Sequence, residues 1–349
     1  IEDWNNPDGG DSGDDEEGGD DSGDSGDDTV YTDLSAVGTA NCYLVQQSGD
    51  YKFKAVIGNI DATVGNVKTV EVLWESFGTD EMPDVGDLIA AASYKDGYIC
   101  FSTPEAFRDG NAVIAAKNSK GTILWSWHIW CAEDGWQEQA YYNDAGTMMD
   151  RNLGATSATP GDVGALGLLY QWGRKDPFMG SSSISESVLA VSTGTWNVSS
   201  SGSLTLAEEN PMTFYTGMNL AKGSWDSVKT IYDPCPSGWR VPDGGDDNVW
   251  AKASGMSSSL DTSGLWNSSA EGVNFSSMFG EDETIWYPLS GYRDSSLNEV
   301  GSRGIYWSCA PAKDNNSLGS YCLYFNISGG NPSYTRPRSY SMSVRCQKE

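Results

Sequence analysis

The stretch WSWHIW at residues 125–130 carries the clearest structural signal in this chain of 349 residues. In a β-strand, successive side chains point to opposite faces of the sheet. Trp125 and Trp127 therefore share one face, and Trp130 falls on the other face with His128. Because large rings occur on both faces, the stretch is predicted to be a strand that is buried on both sides, at a junction between two domains.

The sequence around this strand, from residue 31 to 135, repeats the two-residue period in short segments. Tyr51–Ile57 alternates at its start, and Val70–Trp74 repeats the pattern. Turn sequences such as Lys95-Asp96-Gly97 separate neighbouring segments, as they do in β-hairpins. About seven short strands at this spacing predict a β-sandwich that is immunoglobulin-like in broad shape.

Charge is distributed unevenly along the chain. The sequence has 49 acidic and 21 basic residues, a formal net charge of −28, and residues 1–29 hold 13 of the acids and no Lys or Arg. The rest of the chain therefore carries −15. Residues 1–30 are predicted to be a disordered acidic linker, because they cannot bury enough apolar surface to offset the entropy of ordering. The negative charge argues against nucleic acid and anionic membrane surfaces as partners.

Other features of composition indicate the environment of the protein. No apolar run approaches the ~18 residues of a membrane-spanning helix. The sequence shows neither an initial Met nor a signal peptide, so a processed product is expected. Only 20% of the residues are charged, while Gly, Trp and Tyr are abundant. This composition is typical of an extracellular, β-rich protein with long loops.

No arrangement of catalytic residues is evident, and the prediction is that the protein is not an enzyme. The only histidine, His128, lies in the aromatic strand, where a packed or hydrogen-bonded role is expected. No Ser lies in the G-x-S-x-G pattern of a nucleophile elbow. Acidic residues cluster in segments that are predicted to be solvated loops, and no cofactor is expected apart from calcium, considered below.

The cysteines suggest two candidate disulfides, each of which can form without the other. They are Cys42, Cys100, Cys131, Cys235, Cys309, Cys322 and Cys346. None forms a C-x-x-C pair, and the odd number leaves at least one without a partner in the chain. A Cys309–Cys322 bond would join two apolar runs if they pair as antiparallel strands, and Cys235–Cys346 would tie the start of a domain to its end. The alternative is that all seven are buried thiols.

Four short motifs follow one another in the second half of the chain. They are Met149–Ala155, Leu168–Arg174, Asp233–Pro242 and Gly304–Ser308, the last followed by Ser343–Cys346. Together they resemble the Fibrobacter succinogenes major paralogous domain, and the resemblance covers about residues 139–349. The layout also resembles the C-type-lectin-like fold, including its formylglycine-generating branch. The resemblance implies a lectin-like domain over 136–349, and the whole chain is expected to be mainly β and α+β.

The motif aromatics Trp172, Trp239, Tyr306 and Trp307 are predicted to form the core of this second domain, because they are large, rigid and apolar. Aromatic residues outside the motifs are the candidates for ligand binding, since lectin-like folds bind ligands on long loops and sugars stack on exposed rings. These candidates are Trp196, Trp225, Trp250, Trp266 and Trp286, with Tyr292 and Arg293 in a nearby loop.

A short acidic segment suggests a calcium site. Asp243, Asp246 and Asp247 offer the oxygen ligands that calcium prefers. The other interpretation is a turn followed by a helix whose first residue is capped by Asp246 or Asp247. The turn and cap need no metal and are the preferred interpretation.

Proteins with such a domain are common among surface lipoproteins and fimbrial tip or adhesin-like proteins of Bacteroidetes. The leading hypothesis is therefore a non-enzymatic cell-surface adhesion protein, a fimbrial tip or accessory subunit, that binds a glycan or host ligand through its lectin-like loops. The alternatives are a lipid-anchored protein that captures glycans for uptake and an enzyme of formylglycine-generating or glycosidase type. Other pilus subunits are expected partners if the sandwich has an open edge. The expected location is a fimbria or the outer membrane, with membrane contact only through a lipid anchor upstream.

Overall fold

The alternating segments of the sequence form strands, and the prediction of a mainly β protein is confirmed. The computed structural model describes residues 29–181, 189–217, 224–246, 248–313 and 318–349. Residues 1–28 of the expected linker lie outside these ranges. Tyr31–Glu349 forms one compact unit, and its division near residue 135 stays a prediction. No helix in the described part is long and apolar enough to cross a membrane.

Strands are numbered here in chain order. The first eight are β1 (Thr32–Asp33), β2 (Cys42–Val45), β3 (Asp50–Lys54), β4 (Thr69–Ser76), β5 (Ala91–Lys95), β6 (Tyr98–Ser102), β7 (Gly110–Lys117) and β8 (Ile123–Cys131). The next ten are β9 (Glu138–Tyr141), β10 (Gly146–Met149), β11 (Leu169–Gln171), β12 (Pro177–Phe178), β13 (Val191–Ser192), β14 (Asn197–Ser199), β15 (Thr213–Tyr215), β16 (Trp239–Arg240), β17 (Trp266–Asn267) and β18 (Gly272–Asn274).

The remaining strands are β19 (Trp286–Pro288), β20 (Tyr292–Arg293), β21 (Leu297–Asn298), β22 (Gly304–Pro311), β23 (Gly319–Asn326), β24 (Gly329–Pro337), β25 (Ser341–Ser343) and β26 (Gln347–Lys348). The helices of the described part are short: α1 (Leu204–Glu209), α2 (Val249–Ser254), α3 (Ser276–Phe279) and a 3-10 turn at Val163–Ala165.

Two sheets are built mainly from the first eight strands. Sheet A has the order β1-β3-β6-β5, and sheet B has the order β13-β4-β7-β8-β2. Neighbouring strands are antiparallel except for the β1–β3 and β2–β8 pairs. The two sheets share one buried apolar cluster, in which the rings of Phe53 (sheet A) and Trp127 (sheet B) meet edge to face at 5.2 Å. Sheets A and B therefore enclose a common core.

The later strands form several smaller sheets and one large one. The large sheet has the path β12-β11-β25-β22-β23-β24, with β20 and β21 attached at β25. A four-stranded sheet has the order β16-β26-β10-β9, and β17-β18-β19 form a third. β14 and β15 form a parallel pair. Short strands joined by long loops agree with the Gly- and Ser-rich sequence of this region.

Strand β8 is buried on both faces, as predicted. Trp125, Trp127 and Ile129 belong to the cluster between sheets A and B. Trp130, on the opposite face, belongs to a second cluster that contains the motif residues Trp172 and Trp307. Sheet B is therefore covered on one face by sheet A and on the other by residues of the second half of the chain.

The predicted core role of the motif aromatics is confirmed. Trp172 and Trp307 are fully buried, and each indole N–H donates to a backbone carbonyl, at 2.9 Å (Ser308 O) and 2.8 Å (Tyr170 O). Because the apolar rings exclude water and the N–H groups are satisfied, these residues contribute to packing without leaving an unpaired donor.

Ser126 of β8 joins a buried ion pair in the second half of the chain. Its hydroxyl donates to Asp176 Oδ1 at 2.6 Å and accepts from Lys175 Nζ, which also contacts Asp176 Oδ1 at 2.8 Å. Burial lowers the pKa of Lys175, and the Asp176 carboxylate opposes that shift. Breaking such a pair by removing one partner typically costs about 3–5 kcal/mol, so the contact holds the Lys175–Asp176 segment firmly on β8.

His128 of β8 makes a second buried connection. Its Nε2 lies 2.8 Å from Asn111 Oδ1, so Nε2 carries the proton and Nδ1 accepts from the Tyr170 hydroxyl at 3.4 Å. Asn111 in turn donates to the carbonyl of Gly154 at 2.9 Å. Burial lowers the pKa of His128 to about 3, so the ring is neutral at physiological pH.

One of the two expected disulfides is present. Cys235 and Cys346 are bonded, with Cα atoms 6.1 Å apart. Cys309 and Cys322 are free, buried thiols, so the prediction of a bond between them was wrong. β22 and β23 do pair antiparallel, but Trp307 lies opposite Cys322, and a bulge between Trp307 and Pro311 displaces Cys309.

The neutral His128 predicts a pH dependence of stability. The pKa of histidine is near 6.5 in an unfolded chain and about 3 for His128 in the folded protein. Between these two pH values the unfolded state therefore binds a proton that the folded state does not bind. The stability present above pH 6.5 is therefore lost as the pH falls. Between pH 6.5 and 5 we expect this group to reduce the free energy of unfolding by about 1.6 kcal/mol.

Urea unfolding of the wild type and of His128→Gln at both pH values tests this prediction. Glutamine keeps a donor and an acceptor but does not titrate. For each protein, the free energy of unfolding at pH 5 is subtracted from that at pH 6.5. Because the chain has one histidine, the difference between the two proteins in this quantity isolates the contribution of His128. Equal values of this quantity in the two proteins would contradict the prediction.

The Cys235–Cys346 bond spans 111 residues, and a cross-link of this length removes much entropy from the unfolded chain. We expect Cys235→Ala/Cys346→Ala to lower the free energy of unfolding by about 2–5 kcal/mol. The control is Cys309→Ala/Cys322→Ala, which also removes two buried sulfur atoms but no cross-link. Reductant should lower the free energy of unfolding of the wild type and of this control, because both contain the Cys235–Cys346 bond. It should not change the free energy of unfolding of Cys235→Ala/Cys346→Ala. A reductant effect on that variant would refute the assignment.

Candidate functional site

A cavity of about 390 Å³ opens beside strands β12, β14 and β20. Eight of its eleven lining residues are apolar, and among them Phe178, Trp196 and Phe214 are aromatic. The polar lining consists of Asn197, Arg293 and Ser295. A mainly apolar cavity with a few polar groups is the usual composition of a small-ligand site, so we name this space the Trp196 cavity.

The aromatic wall is fixed by strand pairing. β14 pairs in parallel with β15, which places Asn197 opposite Thr213 and brings Trp196 close to the wall. The Phe178 ring lies 5.2 Å from Phe214 and 6.1 Å from Trp196. Trp196 is only partly buried, so its ring serves both as packing and as accessible surface.

A buried arginine supports this wall from behind. The Arg174 guanidinium lies 4.9 Å from the centre of the Phe178 ring. Its Nη1 donates to Gln171 Oε1 and to the Thr213 carbonyl, and its Nη2 donates to the carbonyl of Pro211. Burial lowers the pKa of Arg174 to about 10, which leaves it charged at neutral pH. The cation fixes the β15 segment and the Phe178 ring together.

Arg293 of β20 adds a polar group to the cavity. Its Nη2 donates to the carbonyl of Met179, another lining residue, at 3.2 Å. Burial lowers the pKa of Arg293, while Asp294 opposes the shift. The described lining residues include no Asp or Glu, which differs from the acidic composition of the chain as a whole.

The rim of the cavity exposes apolar side chains to solvent. Met82 is 57% exposed, Leu189 39% and Val198 60%. Adjacent exposed apolar groups mark interaction sites more often than isolated ones do. The rim therefore extends the apolar surface of the cavity outward.

Of the predicted ligand-binding residues, the structure brings two together, Trp196 and Arg293. Trp225, Trp250 and Trp286 are buried and form core instead, which corrects their prediction as exposed platforms. Trp225 donates to the Tyr232 carbonyl, and Trp250 donates to the Tyr287 hydroxyl. Trp266 and Tyr292 are partly buried outside the cavity, and Tyr292 stacks on Tyr340 at 5.0 Å.

The predicted calcium ligands are engaged by cations of the protein. Asp243 forms an ion pair with Arg240 at 2.9 Å, and Asp246 pairs with Lys313. Asp247 lies outside the described residues. The cap of α2 is Asn248, which accepts from the backbone N–H groups of the first turn, so the prediction of an aspartate cap was wrong. Within the described ranges no group of three His, Cys, Asp or Glu side chains is arranged to hold a metal.

Most of the cavity residues were not found from the sequence. Met82, Phe178, Met179, Leu189, Val198 and Phe214 were missed. They come from separate segments, and none belongs to a local motif that signals binding. The one local signal is the position of Phe178 and Met179, which are separated from the buried Lys175–Asp176 pair by Pro177 alone.

Comparison with known proteins gives no match: no protein-family model, no curated protein and no solved structure is similar to this chain. The resemblance to the Fibrobacter succinogenes major paralogous domain therefore remains a prediction from the four motifs.

Proposed function

We propose that this protein is a non-enzymatic cell-surface protein of adhesion and that the Trp196 cavity is its ligand site. The observation that carries the proposal is a partly exposed tryptophan in a mainly apolar cavity that also contains Asn197, Arg293 and Ser295. A tryptophan face accepts the apolar face of a sugar ring or of a peptide side chain, and the polar groups orient the ligand.

The ligand is proposed to be a glycan or another molecule of a host surface. The cavity, at about 390 Å³, is large enough for one small group such as a sugar ring, with the rest of the ligand on the rim. Met82 and Leu189 on that rim favour apolar contacts, and methionine adapts its shape to different partners.

We further propose that residues 31–135 are an immunoglobulin-like sandwich and that residues 136–349 are a C-type-lectin-like domain of the Fibrobacter succinogenes major paralogous type. The common core of sheets A and B supports the first assignment. The packing of Trp172 and Trp307, both motif residues, supports the second. The acidic segment 1–29 serves as a spacer, and the cell surface, through a fimbria or a lipid anchor, is the proposed location.

Immobilised glycans and host-matrix proteins test the proposed function. We expect the wild type to bind at least one of them and Trp196→Ala to bind at least tenfold more weakly, because the stacking surface is lost. Trp266→Ala is the matched control, since it removes a partly buried tryptophan outside the cavity. Far-UV circular dichroism verifies that both variants fold.

Two outcomes would contradict the proposal in different ways. No binding above background on either array, with and without calcium, contradicts the adhesion function. Binding by the wild type that is equally strong in Trp196→Ala contradicts the assignment of the Trp196 cavity as the ligand site.

A further inference from the structure

A second apolar space, separate from the Trp196 cavity, lies where the edges of sheets A and B face each other. It has a volume of about 310 Å³ and lies between β4, β5, β13 and the β4–β5 connection. Val70, Val72, Val85, Ile89, Ala92 and Val191 supply its apolar surface. We name it the edge cleft.

The outer side of β4 is only partly paired. β7 pairs with β4 along its length, from Thr69 to Ser76. On the outer side, β13 pairs only with Trp74 and Glu75, and Thr193 donates to the Leu73 carbonyl at 2.9 Å. Within the described ranges, no strand pairs with the outer side of Thr69–Val72. An edge of this kind offers backbone donors and acceptors to another strand.

The facing strand of sheet A is an edge as well. β5 pairs with β6 on its inner side, from Ala91 to Lys95, and it ends the order of sheet A in the described part of the chain. Most of β5 is exposed, although Ala92 is partly buried and lines the cleft. The edge cleft is thus an apolar space bordered by two sheet edges.

The short strand β13 shows which kind of segment this edge accepts. It runs antiparallel to β4 and places Val191 against the cleft. The open part of the edge, Thr69–Val72, is four residues long, which corresponds to about 13 Å of extended chain at ~3.3 Å per residue. An incoming strand would continue the ladder that β13 begins.

The charge of the protein restricts which segments can bind at the edge cleft. The charged residues of the lining are Glu71 and Glu75, with no Lys or Arg among the described lining residues. The Glu75 carboxylate accepts three backbone N–H groups of residues 86–89, and Glu71 pairs with Lys117. The whole chain carries −28. Since both carboxylates are satisfied within the chain, the selectivity comes from the net charge of −15 that remains outside residues 1–29, which attracts a segment with basic ends and repels an acidic one.

We propose that the edge cleft binds an extended segment of a partner chain, which has apolar side chains at alternate positions and Lys or Arg at its ends, and which adds to β4 as a strand. The backbone pairs with Thr69–Val72, and alternate apolar side chains fill the cleft. The acidic segment 1–29 of this chain does not fit, because it has 13 acids and no basic residue.

The probe is a synthetic eight-residue peptide of alternating valine and threonine with a lysine at each end, and fluorescence anisotropy measures its binding to the full chain. A first control peptide has proline at a central valine, which removes an N–H and prevents pairing. A second has glutamate at both ends. We expect binding of the probe, at least tenfold weaker binding of the glutamate peptide, and none of the proline peptide.

Two protein variants locate the site. Val85→Lys places a charge at the cleft, where Val85 is 77% exposed, and should weaken probe binding at least fivefold. Val228→Lys is the matched control, since Val228 is 76% exposed outside the cleft, and should change binding less than twofold. Hydrogen exchange should slow in β4 and β5 when the probe binds.

Several results would overturn the proposal. They are no binding of the probe, equal binding of the proline peptide, equal effects of the two lysine variants, or protection outside β4 and β5. Because the Trp196 cavity is not involved, binding on glycan or matrix arrays has no influence on this result.

Discussion

The burial of strand β8 on both faces is the constraint on which the rest of the structure depends. Polar side chains of a buried strand are usually hydrogen-bonded, because an unpaired buried group costs free energy. In the described part of the chain, the Ser126 and His128 side chains are satisfied by Asp176, Lys175, Asn111 and Tyr170. The sheet and the second half of the chain are thereby held in one relative position, since a shift of one against the other would leave buried donors or charges unpaired.

This constraint extends to the Trp196 cavity. Phe178 and Met179 follow Asp176 after a single proline, Pro177, so the buried ion pair holds the chain just before the cavity wall. The Trp74 and Trp196 rings are 6.0 Å apart, and Trp74 lines the edge cleft while Trp196 lines the cavity. Both spaces therefore adjoin the outer part of sheet B, and the two tryptophan rings lie between them.

The sequence predicted features that depend on local periodicity. Alternation around Trp127 predicted a strand buried on both sides, and the apolar runs Ile305–Cys309 and Tyr321–Phe325 fall within β22 and β23. Features that depend on distant partners were not predictable. Trp225 and Trp196 have similar neighbours in the sequence. Their tertiary neighbours differ, so Trp225 is buried in the core while Trp196 is partly exposed. Likewise, the cavity lining comes from several separate segments, and the open side of β4 depends on how little of it β13 covers.

The Cys235–Cys346 bond has a mechanical consequence when the chain is pulled from its two ends. Tension that enters the chain before Cys235 and leaves it after Cys346 passes through the two sulfur atoms. The chain between them, which contains β22, β23 and β24, then bears no load along its backbone. Pulling can extend the chain outside this loop, but the enclosed strands cannot be drawn out while the bond is intact. Reduction of one covalent bond would therefore lengthen the stretchable part of the molecule by more than a hundred residues.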